Sequence, residues 1–277
     1  MYEQMWMNVS TKAPLVHNIT NYVTVNDCAN IILACGASPI MADDIREVEE
    51  ITTICNSLVI NIGTLNERTI ESMVLAGKKA NELSHPVILD PVGVGASKLR
   101  TDTATQLLKE IKFSVIRGNI SEIKTLSKGT GNTKGVDADF TERLTDSNQQ
   151  EVIAFAKDLS KRTGAVIVIT GATDLVADEN EAYLIRNGHP IMSKITGSGC
   201  MLTAVIGAVC AANPTNLLEA AVTGVTIMGI SGELAYEKMI KDQAGTSSFK
   251  MYLIDAISIM DTEKLMSRAK INGNTLK

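Results

Sequence analysis

Four short apolar runs rich in β-branched residues constrain this fold more than any other feature of the sequence. They are 57–63 (SLVINIG), 86–90 (PVILD), 114–117 (SVIR) and 165–170 (AVIVIT). None shows the alternation of polar and apolar residues that marks a strand with one solvated face. Near-continuous apolarity is what a strand needs when both of its faces are covered. The runs therefore predict a mostly parallel central sheet with helices on both faces.

Segments with helical spacing lie between the runs, so the chain alternates strand and helix as in an α/β fold. Helices are predicted at 66–83, from 102 or 103, and from 146 or 147 to 162, with Gly164 as the stop. A polar cluster at 17–21 is interpreted as a cap on a helix over 23–34. After Gly197 only helices are predicted, over 200–212, after Pro214 and over 253–270. The polar interval 127–150 is predicted to be a surface loop or short helix.

Composition narrows the class of protein. The 277 residues are 45% apolar and carry 26 basic against 31 acidic side chains, which excludes a disordered chain and favours one large domain over 1–277. The absence of a basic block argues against a nucleic-acid partner, and a single Trp leaves little for base stacking. A small-molecule partner is the better prediction.

Cysteine usage and charge patterning indicate a cytoplasmic protein without a membrane partner. Five cysteines without CxxC spacing predict neither a disulfide framework nor a zinc site. The first twelve residues lack the basic region of a secretory signal. The interval 195–218 carries no charge, but its apolar core of about a dozen residues is shorter than a bilayer requires. A buried helix is the preferred interpretation.

Glycines and polar residues follow almost every run, where ligands gather in open α/β sheets. The strongest candidate is 195–200 (ITGSGC), which leads directly into a predicted helix. Its glycines allow a close backbone approach, and the free N–H groups of a first helical turn bind anions. A tight turn with a good N-cap is the alternative interpretation. The position of this segment after a βαβ array favours a functional role modestly.

Individual side chains at these positions have chemical uses. Cys200 lies in the first helical turn, which lowers a thiol pKa, so it could act as a base or orient a hydroxyl. Asp90 and Glu122 follow neighbouring runs and are placed to hold Mg²⁺, although a cap or solvated acid is the simpler interpretation of Glu122 alone. Arg117 at a buried strand end requires an anionic partner, either a carboxylate or a phosphate.

Other chemistry is absent from the sequence. No nucleophile triad is visible, the P-loop pattern is missing, and Lys98 stands where a dinucleotide fingerprint beginning at Gly93 would need glycine. The residues by themselves predict an α/β protein that binds an anionic ligand, with Mg²⁺ as a candidate companion.

Seven segments, in order and spacing, carry a family resemblance over nearly the whole chain. They are 14–21 (PLVHNITN), 36–43 (GASPIMAD), 58–65 (LVINIGTL), 87–95 (VILDPVGVG), 115–123 (VIRGNISEI), 168–171 (VITG) and 195–200 (ITGSGC). Together they resemble the hydroxyethylthiazole kinases, a thiamin-salvage family of the ribokinase-like superfamily. The resemblance implies a three-layer ribokinase-like fold. It also implies ATP-dependent phosphorylation of the hydroxyl of 4-methyl-5-(2-hydroxyethyl)thiazole.

The resemblance assigns roles to residues. It implies a catalytic group in which the turn of Gly197, Ser198 and Gly199 forms an anion hole beside Cys200. It implies that ATP contacts the residues Arg117, Thr170, Asn119 and Asn21. Asn119 and Glu122 match the superfamily's Asn-x-x-Glu motif, which organises Mg²⁺ and phosphates, and Asp90 shares the metal. Met41, with Gly197, is implied to line the thiazole pocket.

The family is trimeric with interfacial sites, so the resemblance also implies that the segment around Asn21 serves a neighbouring subunit. Two departures are visible: Ser198 stands where Thr is common, and 245–249 (GTSSF) is less glycine-rich than usual. Two alternatives stay open. One is a sibling hydroxymethylpyrimidine or pyridoxal kinase, and the other is a catalytically silent binder of thiazole or nucleotide, because a cysteine is a poor base at neutral pH.

Overall fold

A single sheet organises the chain. The computed structural model describes residues 1–129, 144–145 and 147–275. Within those ranges nine strands pair in the order β2-β1-β3-β4-β5-β6-β7-β8-β9. The strands are β1 (Leu15–Ile19), β2 (Ser38–Ile40), β3 (Ser57–Asn61), β4 (Val87–Asp90), β5 (Val115–Asn119), β6 (Val166–Thr170), β7 (Asp174–Ala177), β8 (Glu181–Ile185) and β9 (Ile271–Thr275).

The sheet has a parallel part and an antiparallel part. Strands β2, β1 and β3 to β6 are parallel, and β7 to β9 continue the sheet as antiparallel neighbours. The four apolar runs are β3 to β6, and every residue of β3 and β4 is buried. The predicted, mostly parallel sheet is confirmed. Because parallel strands end on the same edge, the residues that follow β3 to β6 lie along one edge of the sheet.

Helices cover both faces, which confirms the three-layer α/β fold. Within the described ranges the α-helices are α1 (Tyr2–Lys12), α2 (Val25–Ala34), α3 (Val48–Ile54), α4 (Glu67–Glu82), α5 (Lys98–Glu110), α6 (Ile120–Lys128), α7 (Gln149–Thr163), α8 (Ser198–Ala212), α9 (Leu217–Lys241), α10 (Thr246–Ser258) and α11 (Thr262–Arg268). Successive side chains of a strand enter opposite cores: Val59 joins the layer of α8 and α9, whereas Leu58 and Ile60 join that of α4 and α7.

Helix α8 lies directly on the sheet, as the uncharged interval 195–218 predicts. Each residue from 201 to 212 is buried. A Cβ at Gly207 would lie 2.5 Å from Val59 Cγ2, so only glycine lets the helix approach β3 this closely. Helix α9 is long and apolar enough to cross a membrane by length and composition, yet 78% of its most apolar window is buried inside the fold. Core helices pass the same test.

Several predicted boundaries were wrong. Helix α5 begins at Lys98 rather than 102 or 103, because the Ser97 hydroxyl caps it by accepting the N–H of Arg100. The helix predicted over 253–270 is two helices, α10 and α11, and β9 follows, so the region after Gly197 is not helical throughout. Residues 130–143 and 146 of the polar interval 127–150 lie outside the described ranges. Its ends belong to α6 and α7.

The polar cluster at 17–21 is not only a helix cap, since β1 runs through it. His17 is fully buried and bonds to Thr52 Oγ1 and the carbonyl oxygen of Ala42, both at 2.9 Å. These partners compensate its burial and allow a polar residue in a covered strand. The same strand leads to Asn21, at the edge of the sheet where β3 to β6 end.

Candidate functional site

Polar side chains meet at the carboxyl edge of the parallel strands. Asn61 at the end of β3 is in register with Asp90 at the end of β4, and Asn119 of β5 is in register with Thr170 of β6. Asn61 Nδ2 donates to Asp90 Oδ2 at 2.8 Å. The strand-end rule selected Asp90, Asn119 and Thr170 in the sequence, and the structure places all three along this edge, with Asn119 and Thr170 as direct neighbours.

Asp90 is the hub of this edge. It is fully buried, and its Oδ2 accepts from Asn61 and from the Thr203 hydroxyl of α8 at 2.9 Å. Arg117 Nη1 lies 3.4 Å from Oδ1. Burial raises the pKa of Asp90 above its usual range, although the Arg117 charge and the two donors oppose that shift. A carboxylate without these donors would be costly at this depth.

The glycine-rich turn at 195–200 brings α8 against this edge. Gly197 caps the helix with a left-handed φ of 86°, and a Cβ there would lie 2.6 Å from Thr24 Cγ2. A Cβ at Gly199 would lie 2.5 Å from Arg117 Nη1. Gly197 is required by its left-handed φ and by Thr24, and a side chain at Gly199 would displace the Arg117 guanidinium. The turn places the free N–H groups at the start of α8 beside a guanidinium, an arrangement that suits an anion.

Cys200 is half-buried in the first turn of α8, and Asn21 Nδ2 donates to its Sγ at 3.3 Å. The sequence-based expectation that the helix N-terminus lowers its pKa was wrong. Burial and the nearby Asp90 raise the pKa of the thiol, against opposing hydrogen bonds from Thr24, Asn21 and Asn61. The side chain is therefore a neutral thiol near pH 7. Asn21 reaches it within the same chain, so this contact needs no second subunit.

Arg117 connects the hub to a large cavity. Its Nη2 donates to Thr170 Oγ1 at 2.8 Å, while its buried Nε has no hydrogen-bond partner among the described residues. Sequence alone left a carboxylate or a phosphate as its partner. The structure provides the carboxylate of Asp90 on one side of the guanidinium, and the cavity that Arg117 also lines leaves room for a bound anion.

The cavity has a volume of about 670 Å³, within the range of small-molecule sites. Arg117, Thr170, Ser198 and Gly199 form the wall nearest the α8 turn. Farther along the wall the His189 ring stacks on Tyr236 with 3.6 Å between ring centroids. One compartment therefore combines the anion-binding groups with room for a much larger ligand.

Glu122 and Asn119 form a reciprocal cap at the start of α6. Glu122 Oε2 accepts the Asn119 N–H at 2.8 Å, and Asn119 Oδ1 accepts the Glu122 N–H at 2.9 Å. Glu122 Oε1 also accepts from the Gly93 N–H at 2.9 Å, which ties the turn after β4 to α6. The capping interpretation of Glu122 is thus correct, and it leaves each oxygen one further lone pair for a ligand.

The donor set fits Mg²⁺ held largely through water. The charge of Glu122 contributes to the raised pKa of Asp90, so the two carboxylates are within electrostatic reach of each other. No cluster of three or more His, Cys, Asp or Glu side chains in the described ranges forms a closed metal site. Mg²⁺ in phosphoryl-transfer sites characteristically keeps its waters and uses one or two carboxylates together with substrate phosphates.

Met41 and the 245–249 segment complete the surroundings. Met41 follows the carboxyl end of β2, the strand beside β1, and is half-buried against the core under α8. It therefore lies on the Asn21 side of the site rather than in the wall of the cavity. Gly245 caps α10, whose Lys250 pairs with Asp27 of α2 at 3.1 Å. Through that pair α10 is tied to the helix that follows Asn21.

Comparison with known proteins identifies the family. The model of the hydroxyethylthiazole kinase family matches residues 7–263. The chain belongs to the hydroxyethylthiazole kinase family. It is 62% identical to hydroxyethylthiazole kinase of Clostridium acetobutylicum over 98% of both chains. It is 55% identical to that of Clostridium tetani over 96% of this chain and 95% of the relative.

Solved structures agree with this assignment to the hydroxyethylthiazole kinase family. The hydroxyethylthiazole kinase protein of Pyrococcus horikoshii OT3 superposes with a TM-score of 0.87 at 34% identity, over 99% of this chain and 98% of that one. Pyridoxal kinase from Staphylococcus aureus in complex with ADP gives a TM-score of 0.56 at 15% identity, over 79% and 87% of the two chains. The latter likeness shows a shared ribokinase-like fold alone.

Some site residues of this hydroxyethylthiazole kinase family member were not singled out from the sequence. Asn61 ends an apolar run, so the strand-end rule applied to single residues would have found it. Thr24 and Thr203 lie beyond that rule, because they are ordinary threonines near helix starts and become polar partners only through packing. Asp174 was missed because the turn after β6 and strand β7 were not predicted.

Asp174 provides a test of the cavity's electrostatics. It lines the cavity and accepts the Gly171 N–H at 2.9 Å, and burial raises its pKa to about 7 against opposition from that bond and the Arg117 charge. An unfolded Asp has a pKa of about 3.9. Between these values only the unfolded state loses the proton, so wild-type stability falls as pH rises from about 4 to 7.

We expect Asp174→Asn to abolish this loss. The free energy of unfolding of the variant, relative to wild type, should increase by about 1 to 3 kcal/mol from pH 4 to pH 7.5 and then level off, as measured by urea denaturation. Asp261→Asn is the control with the opposite sign, because Lys264 lowers the pKa of that exposed helix cap. Equal pH profiles for Asp174→Asn and wild type would contradict the prediction.

Proposed function

We propose that the chain transfers the γ-phosphoryl group of ATP to the hydroxyl of 4-methyl-5-(2-hydroxyethyl)thiazole. Membership of the hydroxyethylthiazole kinase family supports the reaction. One observation carries the assignment of the site: the start of α8 lies between the Cys200 thiol and the cavity lined by Arg117. The side that would bind the alcohol and the side that would bind ATP thus meet at the N–H groups that begin α8.

The cavity is the ATP side of the site. Arg117 lines the cavity and offers its guanidinium charge to phosphate oxygens, and Thr170 fixes the guanidinium through Nη2. Ser198 and Gly199 line the same cavity at the start of α8, where a helix has unpaired N–H groups. Such donors would stabilise the negative charge that spreads over a phosphoryl group in transfer. Asn119 ends β5 on the same edge of the sheet, in register with Thr170 of β6.

The Cys200 side would bind the alcohol that accepts the phosphoryl group. A thiol with a raised pKa is a weak base, so its main contribution is to accept a hydrogen bond from the alcohol and hold the oxygen in line with the phosphoryl group. Positioning accounts for most of the catalysis when the transition state is loose. Gly197 and Met41 border this side, and Met41 offers an adaptable apolar surface to the thiazole ring.

Asp90 and Glu122 would hold Mg²⁺, through water in part. When bound, the ion neutralises charge on the phosphates and helps to orient them. Asp90 keeps its place through Asn61 and Thr203, and Glu122 through the backbone N–H groups that it accepts. Each carboxylate is thus held in one orientation before any ligand arrives.

We also propose a cytoplasmic homotrimer. Directly after Asn21, the side chains of Tyr22 and Val23 are 77% and 56% exposed. Apolar groups grouped beside a site support an interface there. We expect light scattering to give three times the chain mass of 29.7 kDa, and Val23→Glu, at an exposed position, to shift the mass toward that of the monomer. A wild-type mass equal to that of one chain would contradict the trimer.

The reaction itself has a direct test. Purified protein with Mg-ATP should release ADP and form a thiazole phosphate only when the thiazole carries its hydroxyl, so 5-ethyl-4-methylthiazole is the matched control. A panel of hydroxymethylpyrimidine and pyridoxal separates the sibling kinases. Binding of thiazole by calorimetry without ADP release would identify a silent binder instead.

The close approach at Gly199 generates a second test. We expect Gly199→Ala to lower kcat/KM for ATP by about 100-fold, because a methyl group 2.5 Å from Arg117 Nη1 must displace the guanidinium. Gly171→Ala places the same methyl group in the same cavity wall, where the nearest atom lies at 3.5 Å. Its loss should be smaller by at least about tenfold, and comparable losses would show that the Arg117 contact is not the cause.

A further inference from the structure

Arg100, in the first turn of α5, joins the two loops that follow β3 and β4. Its Nη1 donates to the carbonyl oxygen of Val92 at 2.5 Å and to that of Ile62 at 3.3 Å. Its Nη2 donates to the carbonyl oxygen of Gly63 at 2.7 Å. One guanidinium thus holds the backbone at the ends of two neighbouring strands. Neither the strand-end pattern nor the family resemblance assigns this residue a role.

The turn after β4 is shaped to receive this guanidinium. Gly93 adopts a left-handed φ of 71°, and a Cβ there would lie 2.9 Å from Arg100 Nη1. The donors of an arginine form a rigid planar fork, which suits a contact with several acceptors at fixed positions. All the acceptors of this fork are backbone carbonyl oxygens, so the contact responds to the position of the loops and not to their side chains.

The first peptide unit that Arg100 holds orients Glu122. The carbonyl of Val92 and the N–H of Gly93 belong to one planar peptide group, in which they point in opposite directions. Arg100 Nη1 bonds to the oxygen, and the N–H on the other side donates to Glu122 Oε1 at 2.9 Å. The direction of that N–H therefore depends on the contact with Arg100.

The second peptide unit acts on Asp90 in the same way. The carbonyl of Ile62 accepts from Arg100 Nη1, and the N–H of Gly63, in the same peptide group, donates to Asn61 Oδ1 at 2.8 Å. Asn61 Nδ2 donates in turn to Asp90 Oδ2 at 2.8 Å. One nitrogen of Arg100 thus holds both peptide groups whose N–H ends lead to the two carboxylates of the site.

We propose that Arg100 is a positioning residue for the two carboxylates: it holds both peptide oxygens, and so keeps the N–H groups of Gly63 and Gly93 directed at Asn61 and Glu122. Without the guanidinium each peptide plane is free to rotate, and its N–H can leave its acceptor. The proposal rests on the proposed function for its catalytic meaning, because fixed carboxylates matter to the reaction where they hold Mg²⁺. Its effect on the peptide groups can be measured without any ligand.

Two substitutions separate the planar fork from its charge. Arg100→Met keeps an unbranched side chain and removes every donor. Arg100→Lys keeps the positive charge but replaces the fork by a single ammonium group on a flexible stem. Arg68→Met is the matched control, since Arg68 also lies in the first turn of a helix that follows a strand end, α4, but its side chain is 60% exposed and pairs with Asp43 at 3.7 Å. The control should behave as wild type in both measurements below.

The first measurement is amide hydrogen exchange in the ligand-free protein, resolved to single amides by mass spectrometry. Arg100→Met should raise the exchange rates of the Gly63 and Gly93 amides by about three- to tenfold, because each loses the bond that fixes its peptide plane. The Gly95 amide is the internal control, since it donates to Thr101 Oγ1 at 3.1 Å in the same turn. It should keep its rate, and equal acceleration of all three amides would show general loosening and overturn the proposal.

The second measurement is the Kd of ADP by calorimetry, with and without Mg²⁺. The ratio of the two values gives the tightening that the metal provides. Arg100→Met should reduce this ratio by about three- to tenfold and change the metal-free Kd by less than about twofold, because the cavity wall at Arg117 is left intact. A merely structural role would weaken ADP binding with and without the metal alike.

Arg100→Lys should show the same two changes as Arg100→Met, since it lacks the fork. A wild-type ratio together with wild-type exchange in Arg100→Met would overturn the proposal. Wild-type behaviour of Arg100→Lys would assign the role to the charge and overturn it equally, and this variant decides the matter should Arg100→Met fail to fold. Absence of ADP binding by the wild type would contradict the proposed function instead, and the exchange rates would still show whether Arg100 orients the two amides.

Discussion

The buried carboxylate of Asp90 is the interaction on which the rest of this site depends. It is fully buried at the end of a strand covered on both faces, and it accepts from β3 through Asn61 and from α8 through Thr203. Arg117 brings β5 into the same group. A buried charge is tolerated only with such partners, so the donors cannot be removed independently of one another. Strand order, helix docking and the polar chain to Cys200 all converge on one group.

The Gly197 turn is the second constraint, and it is steric. Thr24 occupies the space over Gly197, and Arg117 occupies the space over Gly199. Gly197 and Gly199 thus let α8 begin beside Thr24, Arg117 and the cavity. The buried body of α8 then holds that end in place, since Gly207 meets Val59 of β3 just as closely. An apolar helix thus fixes the position of a polar function.

The sequence pattern predicted the parallel sheet correctly, because β3 to β6 are apolar enough to be covered on both faces. It also predicted where these strands end. It failed where partners lie far along the chain. Strand β1 was missed because it contains the polar residue His17, whose burial is possible only through hydrogen bonds to Thr52 and Ala42. The start of α5 was predicted too late because the cap at Ser97 was not recognised. The cavity wall at Asp174 depends on the antiparallel strands β7 and β8. These segments are short and partly polar, so their sequences do not predict strands. The pKa direction for Cys200 was wrong because depth and the charge of Asp90 are properties of the packed structure.

The raised pKa of Cys200 also explains how a cysteine can stand at this position. Beside a buried carboxylate, a second carboxylate would add like charge at low dielectric, whereas a neutral thiol adds none. A neutral group must, however, be oriented to be useful, because its proton and its lone pair point in different directions. Asn21 supplies part of that orientation, because its Nδ2 donates to the Cys200 sulfur while its Oδ1 accepts from Thr24. Cys200 is a weak base held in a fixed position. Such a group suits phosphoryl transfer through a loose transition state, which depends mostly on positioning.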